Sequence, residues 1–196
     1  EGVSRFLNLE RSFDVKVVPI VGGVGIEGSG SYTNYVTRSF AEKIGGINYT
    51  INVPAVVDTR QARDLLESDG STRKIADLAG EARMLLVGMS DAAGDSSLGR
   101  TGYFDKKELD ALHDLGVIGN VNLVFINREG AHVPNRLEDR IIRILPPERM
   151  QAVPMRIGVA FGERKARVIA SAMKGKWINT LVTDEKTAGS VLEETP

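Results

Sequence analysis

Residues 16–31 constrain the fold more than any other stretch, because an apolar run is followed directly by a cluster of glycines. The run Lys16–Val21 is rich in valine and predicts a buried β-strand. Five glycines lie between residues 22 and 30, and apolar residues then recur at helical spacing up to Ile44. This order of strand, glycine turn and helix start is typical of a loop whose backbone N–H groups bind an anion. The candidate ligand-binding residues of the loop are Gly22, Gly23, Val24 and Gly25.

The rest of the chain alternates predicted strands with predicted helices. Strands are predicted over 48–53, 84–87, 117–126, 141–145, 156–161 and 177–182. Helices are predicted over 31–44, 59–66, 71–82, 106–115 and 163–173, with a closing helix after Asp184. Residues 92–102 are rich in glycine and serine and predict a loop. The alternation favours one α/β domain over residues 1–196, with a largely parallel sheet flanked by helices.

Composition excludes several functional classes for this chain. With 42% apolar and 26% charged residues in 196, the sequence is that of a folded domain. A net charge of −1 gives no electrostatic footprint for nucleic acid. Two histidines and no cysteine argue against a metal site, and we expect no cofactor. No apolar run is long enough to span a membrane and no signal peptide opens the chain, so we expect a cytoplasmic protein.

Three predicted strands end in the same way, with a glycine directly after or at the end of the apolar run. The carboxyl ends of parallel strands form the ligand crevice of an open α/β sheet, so we expect these turns to converge. Lys165 follows one of them at a helix start, where a cation is unfavourable unless an anion is bound. The alternative for Lys165 is a solvated basic turn. The candidate residues of the second and third turns are Gly88, Met89, Ser90, Asp91, Gly162, Glu163 and Lys165.

A dinucleotide site is the competing interpretation of the glycine loop. Residues 23–28 match the pattern G-x-G-x-x-G. That motif needs an acidic residue at the end of the second strand for the ribose hydroxyls. Here the strand carries Asn48 and Asn52, and the first acid, Asp58, comes after Pro54. Because no Gly-Lys-Ser/Thr closes the loop either, neither a dinucleotide nor a nucleoside triphosphate is favoured.

Six sequence blocks, taken in order along the chain, resemble those of one protein family. They are VPIVGGVG (18–25), PAVVD (54–58), LVGMS (86–90), EDRII (138–142), AFGERKA (160–166) and TLVTDE (180–185). Over nearly its whole length the chain resembles the C-terminal sugar-binding (effector) domain of SorC/DeoR-type bacterial transcriptional regulators.

The resemblance implies a fold similar to the group of ribose-5-phosphate isomerase, glucosamine-6-phosphate deaminase and the CoA-transferases. It also implies that a helix-turn-helix DNA-binding domain precedes Glu1, and the lack of an initial methionine fits a fragment of a longer protein. Binding of a sugar, polyol or sugar phosphate would then change operator affinity in a homo-oligomer, either a dimer or a tetramer.

The resemblance also implies roles for individual residues. The loop Gly22–Gly25 and Lys165 would hold a phosphate, and the stretches Gly88–Asp91 and 117–122 would face the sugar. Asn120 departs from the family, whose members often carry an acid there, and Asn122 lies two residues on, on the same face of the predicted strand. The first loop has glycine and valine where some phosphate binders have threonine, so an unphosphorylated polyol remains an alternative ligand. Arg100 could reach a second phosphate or be an ordinary surface residue.

An enzyme of the sugar-phosphate isomerase or deaminase kind is the alternative function for the same fold. Such an enzyme needs a carboxylate general base beside the reacting carbon. Asp91 or Glu163 could be nominated, but no acid–base pair occurs at a convincing spacing. We therefore expect no catalytic residues and favour a ligand sensor, in which binding orders the loop 92–102 and shifts an interface.

Overall fold

The computed structural model describes residues 2–7, 9, 12–24, 32–93, 99 and 102–194 of the chain. The first elements are α1 (Gly2–Phe6), β1 (Lys16–Val17), α2 (Tyr32–Ile44), β2 (Ile47–Asn48), α3 (Arg60–Ser68), α4 (Gly70–Gly80), β3 (Met84–Asp91) and α5 (Lys106–Asp114). They are followed by β4 (Gly119–Val121), β5 (Val124–Ile126), α6 (Pro147–Ala152), β6 (Met155–Val159), α7 (Ala166–Lys174), β7 (Thr180–Val182) and α8 (Glu185–Glu194). Short 3₁₀ helices cover Arg136–Arg140 and Glu163–Lys165.

The chain divides into two compact units. The first unit consists of residues 1–81 and 139–146, and the second unit of residues 82–138 and 147–196. Within the described ranges, no helix is both long enough and apolar enough to cross a membrane.

The first unit has much less regular strand structure than its sequence predicts. β1 pairs in parallel with β2 over only two residues of each strand. Beyond them, the predicted strands contribute isolated bridges, in which Val21 pairs with Arg143 and Val56 pairs with Ile141. Pro19 interrupts the first apolar run, because proline has no N–H for a strand ladder. The strand predicted over 16–21 is confirmed only at Lys16–Val17, and the one predicted over 48–53 only at Asn48. The strand predicted over 141–145 is wrong, because Ile141 and Arg143 form isolated bridges only.

The helix boundaries of the first unit follow the predicted capping signals. Gly45 ends α2 with a φ of 66°, which is a left-handed conformation that suits glycine. The Thr59 hydroxyl accepts a hydrogen bond from the Ala62 N–H at the start of α3. The Asp69 carboxylate does the same for α4, and its hydrogen bonds from Ser71 lower the pKa of Asp69. The predicted break between these two helices is confirmed.

The second unit contains a five-stranded mixed sheet in the order β5-β4-β3-β6-β7. β3, β6 and β7 are mutually parallel, whereas β4 is antiparallel to both β3 and β5. The predicted α/β sheet flanked by helices is confirmed, but it is parallel only over these three strands. The single strand predicted over 117–126 is wrong, because it is a β4–β5 hairpin.

One face of this sheet packs against α7 and will be called the α7 face. Leu85, Val87 and Met89 alternate along β3 and are all buried on that face. Gly119 of β4 lies so close to the helix that a Cβ atom there would come within 2.6 Å of a Val168 methyl carbon. The α7 face therefore carries the main core of the second unit.

Gly22 provides a test of whether the first glycine pair serves packing. An added Cβ at Gly22 would lie 2.1 Å from the carbonyl oxygen of Pro54, a backbone atom that cannot swing away. We expect Gly22→Ala to destabilise the chain by about 1–3 kcal/mol, as overpacked sites do, measured by urea unfolding. Gly70→Ala is the control, because a Cβ at Gly70 meets nothing within 4 Å. Equal stability of the two variants would contradict the packing role.

Candidate functional site

The carboxyl end of β3 is longer than the sequence predicts. Pairing with β4 extends β3 to Asp91, with Ser90 opposite Asn120 and Asp91 opposite Gly119. Gly88, Met89 and Ser90 were predicted as a turn, and they are strand residues instead. The sequence signal fails here because Gly88 ends the apolar run without ending the hydrogen-bonded ladder.

Alternation along the strand divides the candidate residues between the two faces of the sheet. Gly88, Ser90 and Asn120 lie on the face opposite α7, and a Cβ at Gly88 would meet nothing within 4 Å. Met89 lies on the α7 face and is buried, with its terminal methyl 2.7 Å from the position of a Cβ on Gly158. Met89 is therefore a core residue, and its candidacy as a ligand-facing residue is not supported by its position.

Asn120 has an amide group that the fold satisfies only in part. The residue is 5% exposed, and its Oδ1 accepts a hydrogen bond from the Leu123 N–H at 3.1 Å. That bond assigns the other end of the amide as Nδ2, which is buried and has no hydrogen-bond partner among the described residues. Because an unpaired buried donor costs about 1–3 kcal/mol, this amide group is a candidate for contact with a ligand.

The turn that follows Asn120 has a strained backbone. Asn122 and Leu123 join β4 to β5 with φ values of 49° and 66°. A leucine rarely adopts this left-handed conformation, and such strain often occurs at functional sites. The Asn122 N–H donates to the carbonyl oxygen of Gly88 at 3.3 Å, which holds the turn over β3. The prediction that Asn122 shares a strand face with Asn120 is wrong, because Asn122 is a turn residue.

Asp91 lies on the α7 face and lines a cavity of about 650 Å³. Its carboxylate is 3.5 Å from the Arg164 guanidinium and accepts a hydrogen bond from the Ala93 N–H at 3.1 Å. Arg167 borders the same cavity and is 3.4 Å from Glu194. The remaining lining residues include Ala92, His113, Gly116, Val117, Ile118, Glu163 and Val168. The cavity thus has mixed charge, and no sequence pattern predicted the Asp91–Arg164 pair or the contribution of Glu194.

The turn after β6 brings Glu163 and Lys165 to the same end of the sheet as Asp91. Gly162 has a φ of 103°, which only glycine adopts without strain, and its carbonyl accepts the Lys165 N–H at 2.8 Å. Lys165 is half-buried and has no ion-pair partner among the described residues. The prediction that Gly162–Lys165 turns into a helix is confirmed by the 3₁₀ helix and α7.

A threonine outside the turn holds Gly162 in place. The Gly162 N–H donates to the Thr187 hydroxyl oxygen at 2.7 Å, and Thr187 is fully buried. The Thr187 hydroxyl donates in turn to Asp184 at 2.6 Å, and this bond lowers the pKa of the Asp184 carboxyl. A closing helix after Asp184 was predicted, but the role of Thr187 was not; the signal available for it was its position three residues after the Asp184 cap.

The N–H groups at the start of the glycine loop, from Gly22 to Val24, all donate hydrogen bonds to other parts of the chain. Gly22 donates to the Ile142 carbonyl, Gly23 to the Val53 carbonyl at 2.7 Å, and Val24 to the Thr33 hydroxyl at 3.0 Å. An anion-binding role for this loop therefore depends on N–H groups from Gly25 onward. Gly25 and Arg100 lie outside the described residues, as does most of the loop 92–102. The predicted meeting of this loop with Lys165 stays a prediction.

No metal site accompanies these groups in the part of the chain that the structure describes. There, no group of three or more histidine or carboxylate side chains is placed to hold a metal ion. The second unit thus offers an unpaired amide on one face, a charged cavity on the other, and a half-buried lysine at the end of β6. Such groups can bind the hydroxyl and anionic oxygens of a small polar molecule.

A family model decides what kind of domain this is. The model named Sugar-bind, described as "Putative sugar-binding domain", matches residues 2–193. The chain belongs to this family. The match covers both units, and it agrees with the resemblance to SorC/DeoR-type regulators that the six sequence blocks indicate.

Individual members of the sugar-binding family are similar over most of the chain. The deoxyribonucleoside regulator of Bacillus subtilis (strain 168) is 26% identical over 180 residues, which are 92% of this chain and 57% of that protein. The transcriptional regulator LsrR of Klebsiella pneumoniae subsp. pneumoniae is 29% identical over 188 residues, which are 92% of this chain and 54% of that protein. The chain therefore spans little more than half the length of these curated relatives.

A solved structure supports the same family assignment. The full-length sorbitol operon regulator SorC from Klebsiella pneumoniae matches with a TM-score of 0.87 and 25% identity. The match covers 97% of this chain and 62% of that chain. The resemblance to the sugar-binding domain of SorC/DeoR-type regulators is confirmed.

Thr187 gives a direct test of how the turn after β6 is held. We expect Thr187→Val to lower the free energy of unfolding by about 1 kcal/mol or more, because the Gly162 N–H loses its acceptor while the side-chain volume is kept. Thr187→Ser keeps the hydroxyl and should retain most of the stability, as measured by urea unfolding of both variants. If valine and serine cost the same, the hydroxyl is not what holds the turn.

Proposed function

We propose that this chain is the effector-sensing domain of a bacterial transcriptional regulator, extending over residues 1–196. It binds a sugar, polyol or sugar phosphate at the carboxyl ends of β3 and β6 and carries out no chemistry on it. Its family membership supports the sensing role, and the unpaired Nδ2 of Asn120 supports the location of the site. A buried donor that lacks a partner gains a hydrogen bond when an oxygen-rich ligand binds.

The charged groups near this site favour an effector that carries an anion. Lys165 has no ion-pair partner among the described residues, and it stands where α7 begins. The N-terminal end of a helix carries a partial positive charge, so an ammonium group and a phosphate at this position stabilise each other.

We propose that Lys165, Glu163 and Gly162 contact the effector together with Gly88, Ser90 and Asn120. Asp91 and Arg100 complete the proposed set.

The whole protein is proposed to act through DNA. A helix-turn-helix domain preceding Glu1 would bind the operator, and the effector would shift operator affinity through its different affinity for two states of the regulator. Regulator relatives that are longer than this chain support the additional domain. We further propose that the protein is cytoplasmic and works as a homo-oligomer, since a DNA-binding regulator acts where the chromosome is.

A finer fold assignment belongs to the same proposal. The parallel β3-β6-β7 arrangement, with α7 connecting the last two strands, is compatible with the group of ribose-5-phosphate isomerase, glucosamine-6-phosphate deaminase and CoA-transferases. Fold similarity does not carry catalytic activity with it. The Asp91 carboxylate, one candidate general base, is occupied by Arg164 and by the Ala93 N–H. Turnover of pentose or hexose phosphates by the purified chain would overturn the sensor proposal.

Lys165 should distinguish phosphorylated from unphosphorylated effectors. Thermal shift against a panel of sugars, polyols and their phosphates first identifies the ligands that bind. Lys165→Ala is then expected to lower the affinity for phosphorylated ligands by about tenfold or more, because a charge-assisted hydrogen bond is lost. The affinity for neutral ligands should not change. Lys174→Ala, at the other end of α7, is the matched control. An equal loss of affinity for phosphorylated and neutral ligands would contradict a phosphate-binding role for Lys165.

Asn120 should report on the hydrogen-bond donor in the site. Asn120→Asp keeps the acceptor for the Leu123 N–H and replaces Nδ2 by an oxygen. We expect the affinity for the effector to fall by about tenfold, because the oxygen cannot donate to it. Asn127→Asp is the control, since Asn127 Oδ1 also accepts a backbone N–H in a turn, from Ala131 at 2.9 Å. Unchanged calorimetric affinity in Asn120→Asp would remove Asn120 from the site.

A further inference from the structure

Phe161 is a large apolar side chain directly after β6 that its own unit does not bury. The residue is 74% exposed, whereas Phe104 and Phe125, the other two phenylalanines of the second unit, are 4% and 0% exposed. Because removing any neighbour can only increase exposure, the second unit by itself leaves at least this fraction of Phe161 uncovered. An aromatic ring is normally a core residue, so its position here calls for a contact that the second unit does not provide.

Hydrogen bonds fix the backbone on both sides of Phe161. The Ala160 N–H donates to the Val182 carbonyl at 3.3 Å, and the Gly162 N–H donates to the Thr187 hydroxyl oxygen at 2.7 Å. A phenylalanine on a fixed backbone has only two rotatable bonds, so it loses little conformational entropy when a ligand orders it. The Phe161 ring is therefore preorganised for binding.

Phe161 adjoins the groups that are proposed to bind the effector. Gly88 of β3 pairs with Val159 of β6, so both lie on the face of the sheet opposite α7. Phe161 comes two residues after Val159, and strand alternation continued to this position places it on that face. Gly162 follows directly and begins the turn to Lys165. Phe161 thus lies between the strand ends proposed to meet the hydroxyl groups of the ligand and the turn proposed to meet its anion.

An aromatic ring beside hydrogen-bonding groups suits a sugar in its ring form. In a furanose or pyranose, C–H groups on one face of the ring form an apolar surface, and the hydroxyl groups extend from its edge. The face of an aromatic ring is electron-rich and packs favourably against such C–H groups. An open-chain polyol has no fixed apolar face and gains much less from the same contact. Apolar and aromatic side chains with a few polar groups are also the usual lining of ligand sites.

We propose that Phe161 stacks on the ring of a cyclic sugar and thereby selects ring sugars over open-chain polyols. This inference rests on the proposed function, which admits a sugar, a polyol or a sugar phosphate, and it narrows the effector to a cyclic sugar. Phe161 discriminates between the ring and open-chain forms of the carbon skeleton, whereas Lys165 discriminates between phosphorylated and neutral ligands.

Calorimetric titration with matched ligand pairs tests the selection. Each pair joins an aldose phosphate to its alditol phosphate, as in glucose-6-phosphate with sorbitol-6-phosphate and ribose-5-phosphate with ribitol-5-phosphate, and glucose with sorbitol forms a neutral pair. We expect the wild-type chain to prefer the cyclic member of the pair that it binds. Phe161→Ala should lower the affinity for that member by about tenfold, because the stacking contact is lost, and should change the affinity for the open-chain member little.

Two further variants show whether the ring itself is responsible. Phe161→Tyr keeps the aromatic face and should retain the affinity. Leu192→Ala is the matched control, since Leu192 is an exposed apolar residue of the same unit on α8. If Phe161→Ala binds the cyclic member as tightly as the wild-type chain does, or if the wild-type chain prefers the open-chain member, the stacking role is overturned and the sensor proposal stands. A wild-type chain that binds no member of any pair would overturn both.

Fluorescence quenching provides a measurement whose first result needs no ligand. The only tryptophan of the chain, Trp177, is 2% exposed, so Phe161→Trp adds a second and accessible indole. We expect acrylamide to quench this indole in the free chain, and the cyclic sugar found by calorimetry to protect it. An indole that acrylamide does not reach in the free chain would mean that another part of the chain covers this position, and the proposal would fail.

Discussion

The antiparallel pairing of β4 with the last residues of β3 is the interaction on which the candidate site depends. A parallel sheet alone would end β3 near Gly88, and a turn would begin there. The β4 ladder continues the strand to Asp91 instead, and it places Asn120 directly beside Ser90. It also sends Ser90 and Asp91 to opposite faces, so that an amide site and a charged cavity share one end of the sheet. In a purely parallel arrangement Asn120 would not lie beside Ser90.

Most of the second unit could be predicted from local signals, and the reasons are physical. The capping box at Asp105 and Glu108 fixes the start of α5, and the glycine after β6 fixes the start of the turn that leads into α7. The β4–β5 hairpin could not be predicted, because its turn uses Asn122 and Leu123 in a left-handed conformation that leucine rarely adopts. The side chain of Asn120 stabilises that turn by accepting a hydrogen bond from the Leu123 N–H. The hydrophobic periodicity of the sequence contains no information about this side-chain hydrogen bond.

In the candidate site, too, some residues could be predicted from the sequence and others could not. Gly162 and Lys165 could be proposed from their order after an apolar run. Met89 could not be assigned to the core, since its packing over Gly158 depends on a strand register that the sequence alone does not reveal. Gly22 looks like a ligand glycine, yet its missing side chain makes room for Pro54. A glycine near a strand end can serve either purpose, and only the neighbouring backbone tells them apart.

The Thr187 hydroxyl donates one hydrogen bond and accepts another, and these two roles depend on its partners. A hydroxyl has one proton, which Thr187 gives to Asp184, and so its lone pairs remain for the Gly162 N–H. An ionised Asp184 favours this polarity, because both oxygens of a carboxylate can only accept. The lowered pKa of Asp184 keeps the carboxylate ionised to a more acidic pH than an ordinary aspartate. The turn that presents Lys165 is thus tied, through one hydroxyl, to a carboxylate at the start of α8.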